Sequence, residues 1–169
     1  MHKAGFVTIL GNPNVGKSTL MNNLIGENLS IITNKAQTTR HRILGVVSEE
    51  DYQIVFSDTP GVITPHHDLH EAMMNFVQIS LEDADIVLYM VDCSRDDLKD
   101  VKFLDKVGDS NIPIILLINK IDLIKQEDVV GLLDFWTQKV PSATLIPISA
   151  LEKFNTPRVI EEILNFASI

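Results

Sequence analysis

The 169-residue chain has little of several features that define other classes of protein. Its single cysteine, Cys93, excludes an internal disulfide and a metal site built from several cysteines. No apolar run approaches the ~20 residues that a membrane-spanning helix needs, and the N-terminus lacks the apolar segment of a signal peptide. Basic residues number 14 against 23 acidic ones, and the net charge of −9 argues against strong nucleic-acid binding by this chain alone. We therefore expect a cytoplasmic globular protein.

Apolar runs rich in β-branched residues alternate with amphipathic helical patterns along the chain. The runs predict strands at residues 6–10, 43–48, 53–56, 86–91, 112–118 and 145–148. Helical spacing predicts helices at 70–82, 97–107, 126–140 and 157–167, besides one that opens near Lys17. The predicted apolar face of 126–140 comprises Val129, Val130, Leu133 and Trp136. This alternation predicts one α/β domain over residues 1–169, with a doubly wound, mostly parallel sheet and helices on both faces.

The most specific motif is a loop between a predicted strand and a predicted helix, Gly11-Asn12-Pro13-Asn14-Val15-Gly16-Lys17-Ser18. It fits the GxxxxGK[ST] pattern of phosphate-binding loops in the context that this pattern requires. Glycines let backbone N–H groups turn toward phosphate oxygens, and the helix that opens at Lys17, Ser18 and Thr19 adds its positive dipole end. Lys17 is predicted to reach the β- and γ-phosphates, and Ser18 to bind Mg²⁺. The loop predicts a nucleoside triphosphate ligand without identifying the base.

Two short motifs after later strands predict a guanine base. The first is Asn119-Lys120-Ile121-Asp122, in which the Asp122 carboxylate can accept hydrogen bonds from guanine N1–H and N2–H₂, donors that adenine lacks. Lys120 can lay its stem along the base, and Asn119 can tie this segment to the phosphate loop. The second motif is Ser149-Ala150-Leu151, whose Ala150 amide can face the guanine O6. Both motifs follow strands, at the sheet edge where ligands bind in open α/β folds.

A third segment, Asp58-Thr59-Pro60-Gly61, also ends a predicted strand. Asp58 suits a role at Mg²⁺ through water, and the Gly61 amide suits the γ-phosphate, where a side chain would obstruct close approach. Thr39, in the polar segment Thr38-Thr39-Arg40, can complete the Mg²⁺ shell once the γ-phosphate is present. The predicted metal ligands are therefore Ser18, Thr39 and Asp58.

Together these motifs resemble the GTPase core of the Ras-like P-loop class across almost the whole chain. The stretches Gln37–Ile43, Asp58–Val62 and Ser80–Asp85 are similar to the Era family of bacterial ribosome-assembly GTPases. The resemblance implies a six-stranded sheet and a molecular switch that binds GTP and GDP and hydrolyses GTP slowly. It also implies a cytoplasmic monomer, in some members associated peripherally with the inner membrane, that assists 16S ribosomal RNA maturation and small-subunit assembly.

RNA recognition in that family comes mainly from a C-terminal KH domain, which clamps single-stranded RNA through a GXXG loop. This sequence contains no GXXG loop and stops at Ile169. We therefore expect residues 1–169 to form the GTPase domain alone, with the RNA and the small ribosomal subunit bound through a domain that is absent here.

The residue after Gly61 bears on how GTP is hydrolysed. Ras-type enzymes have glutamine there to orient the attacking water, whereas Val62 offers no hydrogen bond. The resemblance implies that Asn14 helps to hold a K⁺ ion beside the phosphates, which supplies charge stabilisation. The predicted catalytic residues are Asn14, Lys17, Thr39 and Gly61, and K⁺ joins Mg²⁺ as an expected cofactor.

Two other functions stay open at this point. Val62 is compatible with a nucleotide-gated binding module whose hydrolysis is negligible, and a phosphate-binding loop also occurs in small-molecule kinases, although Asn119–Asp122 argues against a kinase. His66 and His70 have the spacing of zinc ligands on a helix, but no carboxylate pair or cysteine completes a site. Cys93 is interpreted as a packing residue rather than a nucleophile.

Overall fold

A computed structural model describes residues 3–11, 15–25, 42–58, 84–94 and 111–166, with only the backbone of 42–44 and 58. Within these residues the strands are β1 (Lys3–Gly11), β2 (Arg42–Ser48), β3 (Tyr52–Asp58), β4 (Ile86–Asp92), β5 (Ile114–Asn119) and β6 (Thr144–Pro147). The helices are α1 (Lys17–Ile25), α2 (Gln126–Lys139) and α3 (Thr156–Phe166), besides a 3₁₀ turn at Ile121–Leu123. The predicted helices at 70–82 and 97–107 lie outside the described residues.

The strands form one six-stranded sheet in the order β2-β3-β1-β4-β5-β6. All neighbours run parallel except β2 and β3, which form an antiparallel pair. The register pairs Ile9 with Asp58 and Asp92 with Asn119. The carboxyl ends of β1, β3, β4 and β5 therefore meet at one edge of the sheet, where an open α/β fold binds its ligands. The predicted fold class and the six strands are confirmed.

Helices cover both faces of this sheet, because its central strands are apolar on both sides. All side chains of β4 and β5 are buried. One core cluster joins α1 and α3 to the sheet, with Leu20 and Ile163 among its members. The other cluster joins α2 to the opposite face through Trp136 and Val140. None of the helices in the described ranges is long and apolar enough to cross a membrane.

The predicted apolar face of α2 was wrong at one position. Val130 is 63% exposed, whereas Trp136 is buried. The side that packs on the sheet includes Leu133, Trp136 and, directly after the helix, Val140, at the spacing of three to four residues that marks one side of a helix. Val130 lies off this side, since neighbouring residues are about 100° apart around a helix.

The strand boundaries also differ in detail from the sequence-based ones. β5 begins at Ile114 rather than at residue 112, because Pro113 has no N–H to donate to the ladder; its carbonyl accepts from the Val87 amide at 3.0 Å. β1 begins at Lys3, where the backbone pairs with Tyr52. The Lys3 ammonium donates to the Leu164 carbonyl of α3 at 3.1 Å, which links the start of β1 to the last turn of that helix.

Candidate functional site

The phosphate loop leaves β1 and enters α1 through two glycines with positive φ. Gly11 has φ +152° and Gly16 has φ +106°, values that side-chain-bearing residues rarely adopt. A Cβ on Gly11 would lie 2.6 Å from the Met90 carbonyl oxygen, so the backbone needs glycine there. Lys17, the first residue of α1, donates from Nζ to the Gly11 carbonyl at 3.1 Å. The lysine thus reaches back across the loop from its far end.

Other predicted phosphate and metal residues flank this loop. Ser18 and Thr19 are exposed in the first turn of α1, where unpaired backbone N–H groups favour an anion. Asp58 ends β3 at the same sheet edge, although its side chain is not described. The predicted residues Asn12, Pro13, Asn14, Thr38, Thr39, Thr59, Pro60, Gly61 and Val62 lie outside the described residues, as do His66, His67 and His70.

Asn119, the last residue of β5, joins the phosphate loop to the two base motifs. Its Nδ2 donates to the Val15 carbonyl at 2.7 Å, and its Oδ1 accepts from the Ala150 amide at 3.0 Å. Asn119 is 2% exposed, so both contacts are shielded from water. A Cβ on Gly16 would run into this amide nitrogen. The prediction that Asn119 ties its segment to the phosphate loop is confirmed.

The Ala150 amide was predicted to face a guanine O6. It donates to Asn119 in the structure, so its role toward a base stays a prediction. The Ala150 carbonyl accepts from Nδ2 of Asn23 on α1, a contact that the sequence did not indicate. The segment that follows β6 is thus held both by β5 and by the helix of the phosphate loop.

Asp122 projects from the 3₁₀ turn toward the second base motif. Its Oδ1 accepts from the Ser149 hydroxyl at 2.8 Å, and that hydroxyl in turn accepts from the Glu152 amide at 3.2 Å. The Ile121 amide donates to the Ile148 carbonyl at 3.3 Å. Asp122 remains exposed, so an oriented carboxylate faces solvent between the two motifs, as a receptor for N–H donors requires. Leu151, the last residue of that motif, is 74% exposed.

Sequence reasoning missed the partner of Lys120. Its Nζ lies 2.8 Å from Oδ2 of Asp92, whose carboxylate is fully buried. Oδ1 of Asp92 accepts from the Ser94 amide at 2.9 Å and from the Ser94 hydroxyl at 2.6 Å. Burial raises the pKa of Asp92, but the Lys120 and Ser94 contacts outweigh it and hold the pKa below its usual range. The signal in the sequence was an aspartate directly after the wholly apolar run 86–91.

Cys93 follows Asp92 and is partly buried against the core on the α2 side. Burial, together with the Asp92 carboxylate, raises the pKa of the Cys93 thiol to about 11. A thiol of that pKa stays protonated at neutral pH and is a poor nucleophile. This geometry supports the interpretation of Cys93 as a packing residue.

A protein-family model described as "50S ribosome-binding GTPase" matches residues 6–120. GTPase Era of Clostridium perfringens is 41% identical over 167 residues, covering 98% of this chain and 56% of the relative. GTPase Era of Alkaliphilus metalliredigens is 43% identical over 166 residues, with the same coverage of 98% and 56%. The chain therefore spans little more than half the length of these relatives.

Two solved structures of Era are also similar to this chain. An Era structure in complex with MgGDPNP and nucleotides 1506–1542 of 16S ribosomal RNA has a TM-score of 0.77 and 40% identity, covering 100% of this chain and 58% of that one. An Aquifex aeolicus Era variant bound to GDP·AlF₄⁻ has a TM-score of 0.75 and 40% identity, covering 99% and 58%. The phosphate loop and the base motifs of the chain share one sheet edge, and almost all of the chain is similar to part of Era. The chain belongs to the GTPase family that the matching model describes.

Proposed function

We propose that this chain binds GTP and GDP and hydrolyses GTP to GDP and phosphate as a molecular switch. The observation that carries the proposal is the position of Asn119, which holds the phosphate loop through Val15 and the second base motif through Ala150. One buried side chain thus sets the spacing between the groups for phosphate and those for base. Such fixed spacing suits a ligand that has both parts, a nucleotide.

The base would be guanine because of Asp122. The Ser149 hydroxyl orients one carboxylate oxygen, and an exposed carboxylate can accept from guanine N1–H and N2–H₂. Adenine would leave this carboxylate without those donors. A site built on such hydrogen bonds can favour the ligand that has the donors over one that lacks them by a factor of ~10⁴. Lys120 would lie along the base, and the Ala150 amide, which donates to Asn119, would share its N–H with O6 once nucleotide is bound.

The phosphates would bind at the N-terminus of α1. Lys17 uses one donor on the Gly11 carbonyl, and an ammonium has three N–H donors, so others remain for the β- and γ-phosphates. Mg²⁺ fits this position because the exposed Ser18 hydroxyl and the Asp58 backbone at the end of β3 bring oxygen-bearing residues to one edge. Ser18, Asp58 and Thr39 would hold the ion, which neutralises phosphate charge. The Era structure with MgGDPNP supports this assignment.

Hydrolysis would be slow without a partner, since Val62 stands where Ras-type enzymes have a glutamine for the attacking water. Lys17 and the Gly61 amide would stabilise the negative charge that develops on the γ-phosphate. Asn14 would hold a K⁺ ion that stabilises this charge further. Ordering of Thr39 and of the segment after Asp58 by the γ-phosphate would make the domain a switch.

In the whole protein the switch would serve assembly of the small ribosomal subunit. Support comes from the Era structure that contains a 16S ribosomal RNA fragment and from Era relatives nearly twice as long as this chain. RNA binding is assigned to a region beyond residues 1–169. Cytoplasmic location, peripheral membrane association and a monomeric state stay predictions from the resemblance.

Single-turnover hydrolysis tests the proposal directly. The purified chain with Mg²⁺ should release phosphate from γ-labelled GTP, while ATP should neither bind nor be cleaved at the same concentration. Lys17→Ala should abolish release, and Lys139→Ala, an exposed lysine at the end of α2, should not. ATP preferred over GTP would refute the guanine assignment and revive a kinase.

The main alternative is a nucleotide-gated binding module, which Val62 favours. It predicts tight GTP binding with no phosphate release above the rate in buffer, even with small ribosomal subunits present.

The K⁺ role is tested in the same assay: release should be faster in KCl than in NaCl, and Asn14→Ala should remove the difference. Equal rates in both salts would refute the K⁺ assignment.

A further inference from the structure

A buried carboxylate lies next to the proposed base site without belonging to any of the predicted motifs. Asp92 ends β4 directly opposite Asn119 in the register of the sheet. The residue is 2% exposed and its carboxylate is fully buried. Removing a carboxylate from water is costly unless donors compensate its charge, so the contacts of Asp92 indicate what it is placed there to hold.

Those contacts divide between the two carboxylate oxygens. Oδ1 accepts from both the amide and the hydroxyl of Ser94, at 2.9 and 2.6 Å. Oδ2 lies 2.8 Å from the Lys120 ammonium. Ser94 thus fixes the orientation of the carboxylate, which in turn fixes the position of a lysine on the neighbouring strand end.

Lys120 is constrained at its backbone as well. Its φ of 66° and ψ of 33° place it in the left-handed region, which few residues other than glycine adopt. The flanking backbone is anchored too, because the Cys93 amide donates to the Asn119 carbonyl at 3.1 Å. The four-carbon stem of Lys120 therefore runs between two fixed ends, its own Cα and the Asp92 carboxylate, while 30% of the side chain remains exposed.

We infer that Asp92 is a positioning residue for nucleotide binding. It acts by holding the Lys120 stem beside the space that the base will occupy, so that the base can pack against the stem. The inference rests on the proposed function, since it assigns the stem to a nucleotide base. A lysine that is already held loses little side-chain entropy when the base packs against it. Asp92 acts through Lys120 and not on the nucleotide, because its carboxylate is fully buried, and Ser94 assists it only by orienting the carboxylate.

A double-mutant cycle on the dissociation of fluorescent mant-GDP tests this inference. Asp92→Asn keeps the size of the side chain but turns an amide toward the Lys120 ammonium, so Lys120 should lose its fixed position. We expect mant-GDP to dissociate roughly 3- to 12-fold faster, the cost of immobilising one long side chain on binding. Asp134→Asn, which removes an exposed carboxylate on α2, should leave the rate unchanged.

The decisive comparison is the same substitution in a Lys120→Met background. There Asp92→Asn should alter the rate less than about twofold, because the group through which it acts is gone. An equal factor in both backgrounds would overturn the inference, as would an unchanged rate in a folded Asp92→Asn protein. Thermal unfolding without nucleotide verifies folding, and a change in unfolding temperature alone would indicate a purely structural tie between β4 and β5.

A second variant keeps the inference testable if Asp92→Asn does not fold. Ser94→Ala removes a hydroxyl donor from Oδ1 at an exposed residue, and it should accelerate dissociation by a smaller factor that disappears in the Lys120→Met background. An unchanged rate would then overturn the inference. If the unmodified chain does not bind mant-GDP, the proposed function fails as well. If it binds normally and Asp92→Asn changes the dissociation rate by the same factor with or without Lys120, only this inference is overturned.

Discussion

The two halves of the nucleotide site are built in different ways. The base half is held by side chains that reach across the sequence: Asn119 to Val15, Lys120 to Asp92, and Asp122 to Ser149 through its hydroxyl. The described part of the phosphate half depends on the backbone instead, through the positive φ angles of Gly11 and Gly16. Asn119 is the point where the two halves meet.

The difference indicates how each half should respond to substitution. A side-chain network can lose one member and keep its backbone, so single changes should weaken or redirect recognition by limited factors. A backbone turn that only glycine adopts cannot keep its conformation after a substitution, because any Cβ strains the chain or displaces a neighbour. We therefore expect the largest effects at the glycines and smaller ones among the hydrogen-bonding side chains.

Gly16→Ala should have the largest of the effects compared here. The new Cβ would be strained at φ +106° and would run into the Asn119 amide, which disturbs both halves at once. Strain of about 1–3 kcal/mol plus the displaced hydrogen bond should weaken GDP binding roughly 100-fold, measured by titration calorimetry.

Gly131→Ala on α2 is the matched control, since nothing lies within 4 Å of its added Cβ. It should leave GDP binding unchanged and stabilise the fold by about 0.5–1 kcal/mol, because alanine suits a helix interior better than glycine. Full GDP affinity in Gly16→Ala would contradict the view that the phosphate half depends on its backbone.

Ser149→Ala should have an intermediate effect. It removes the 2.8 Å hydrogen bond that orients Asp122 and the acceptor for the Glu152 amide. Loss of such a bond costs about 0.5–1.5 kcal/mol, so the dissociation constant for GDP should rise roughly 2- to 12-fold. Ser142→Ala, at an exposed turn residue, serves as the control and should change nothing. Equal affinities of the two variants would show that Asp122 needs no orienting partner.

Cys93 should have the smallest effect on binding, because it packs behind the base half and contacts the core. Cys93→Ala should leave GDP affinity unchanged. With the pKa of its thiol raised from 9.0 to about 11, alkylation by iodoacetamide at pH 8 should be roughly 100-fold slower than for an ordinary thiol. Half-maximal reactivity near pH 9 would contradict the burial of this thiol.

The same raised pKa links stability to pH. An unfolded chain loses the thiol proton near its ordinary pKa, whereas the folded chain retains it to higher pH. The free energy of unfolding should therefore fall as the pH rises from about 9 toward 11, measured by urea denaturation. Cys93→Ala should lessen this fall, and an identical pH profile for the two proteins would show that Cys93 does not contribute to it.

The sequence predicted the features that depend on local pattern. Apolar runs gave the strands, and the glycines with Lys17 and Ser18 indicated the phosphate loop, because both signals lie within a few consecutive residues. Asn119 and Asp122 were recognised for the same reason. The sheet edge that joins them followed from the general behaviour of parallel strands.

Contacts between distant segments could not be predicted in this way. Asp92 meets Lys120 only because β4 and β5 pair in a register that puts Asp92 opposite Asn119. Asn23 meets Ala150 only because α1 and the segment after β6 lie at the same edge. The exposure of Val130 depends on how α2 turns against the sheet, which its dense apolar pattern leaves undetermined.

The central claim, that Asp122 reads a guanine base, is tested most directly by competition of GDP and XDP for the Asp122→Asn protein. The unmodified chain should prefer GDP. In the variant, the new amide would face the guanine N2–H₂ donor but could donate to the xanthine O2, so GDP binding should weaken while XDP becomes the preferred ligand. An unchanged preference for GDP in a folded Asp122→Asn protein would contradict the account.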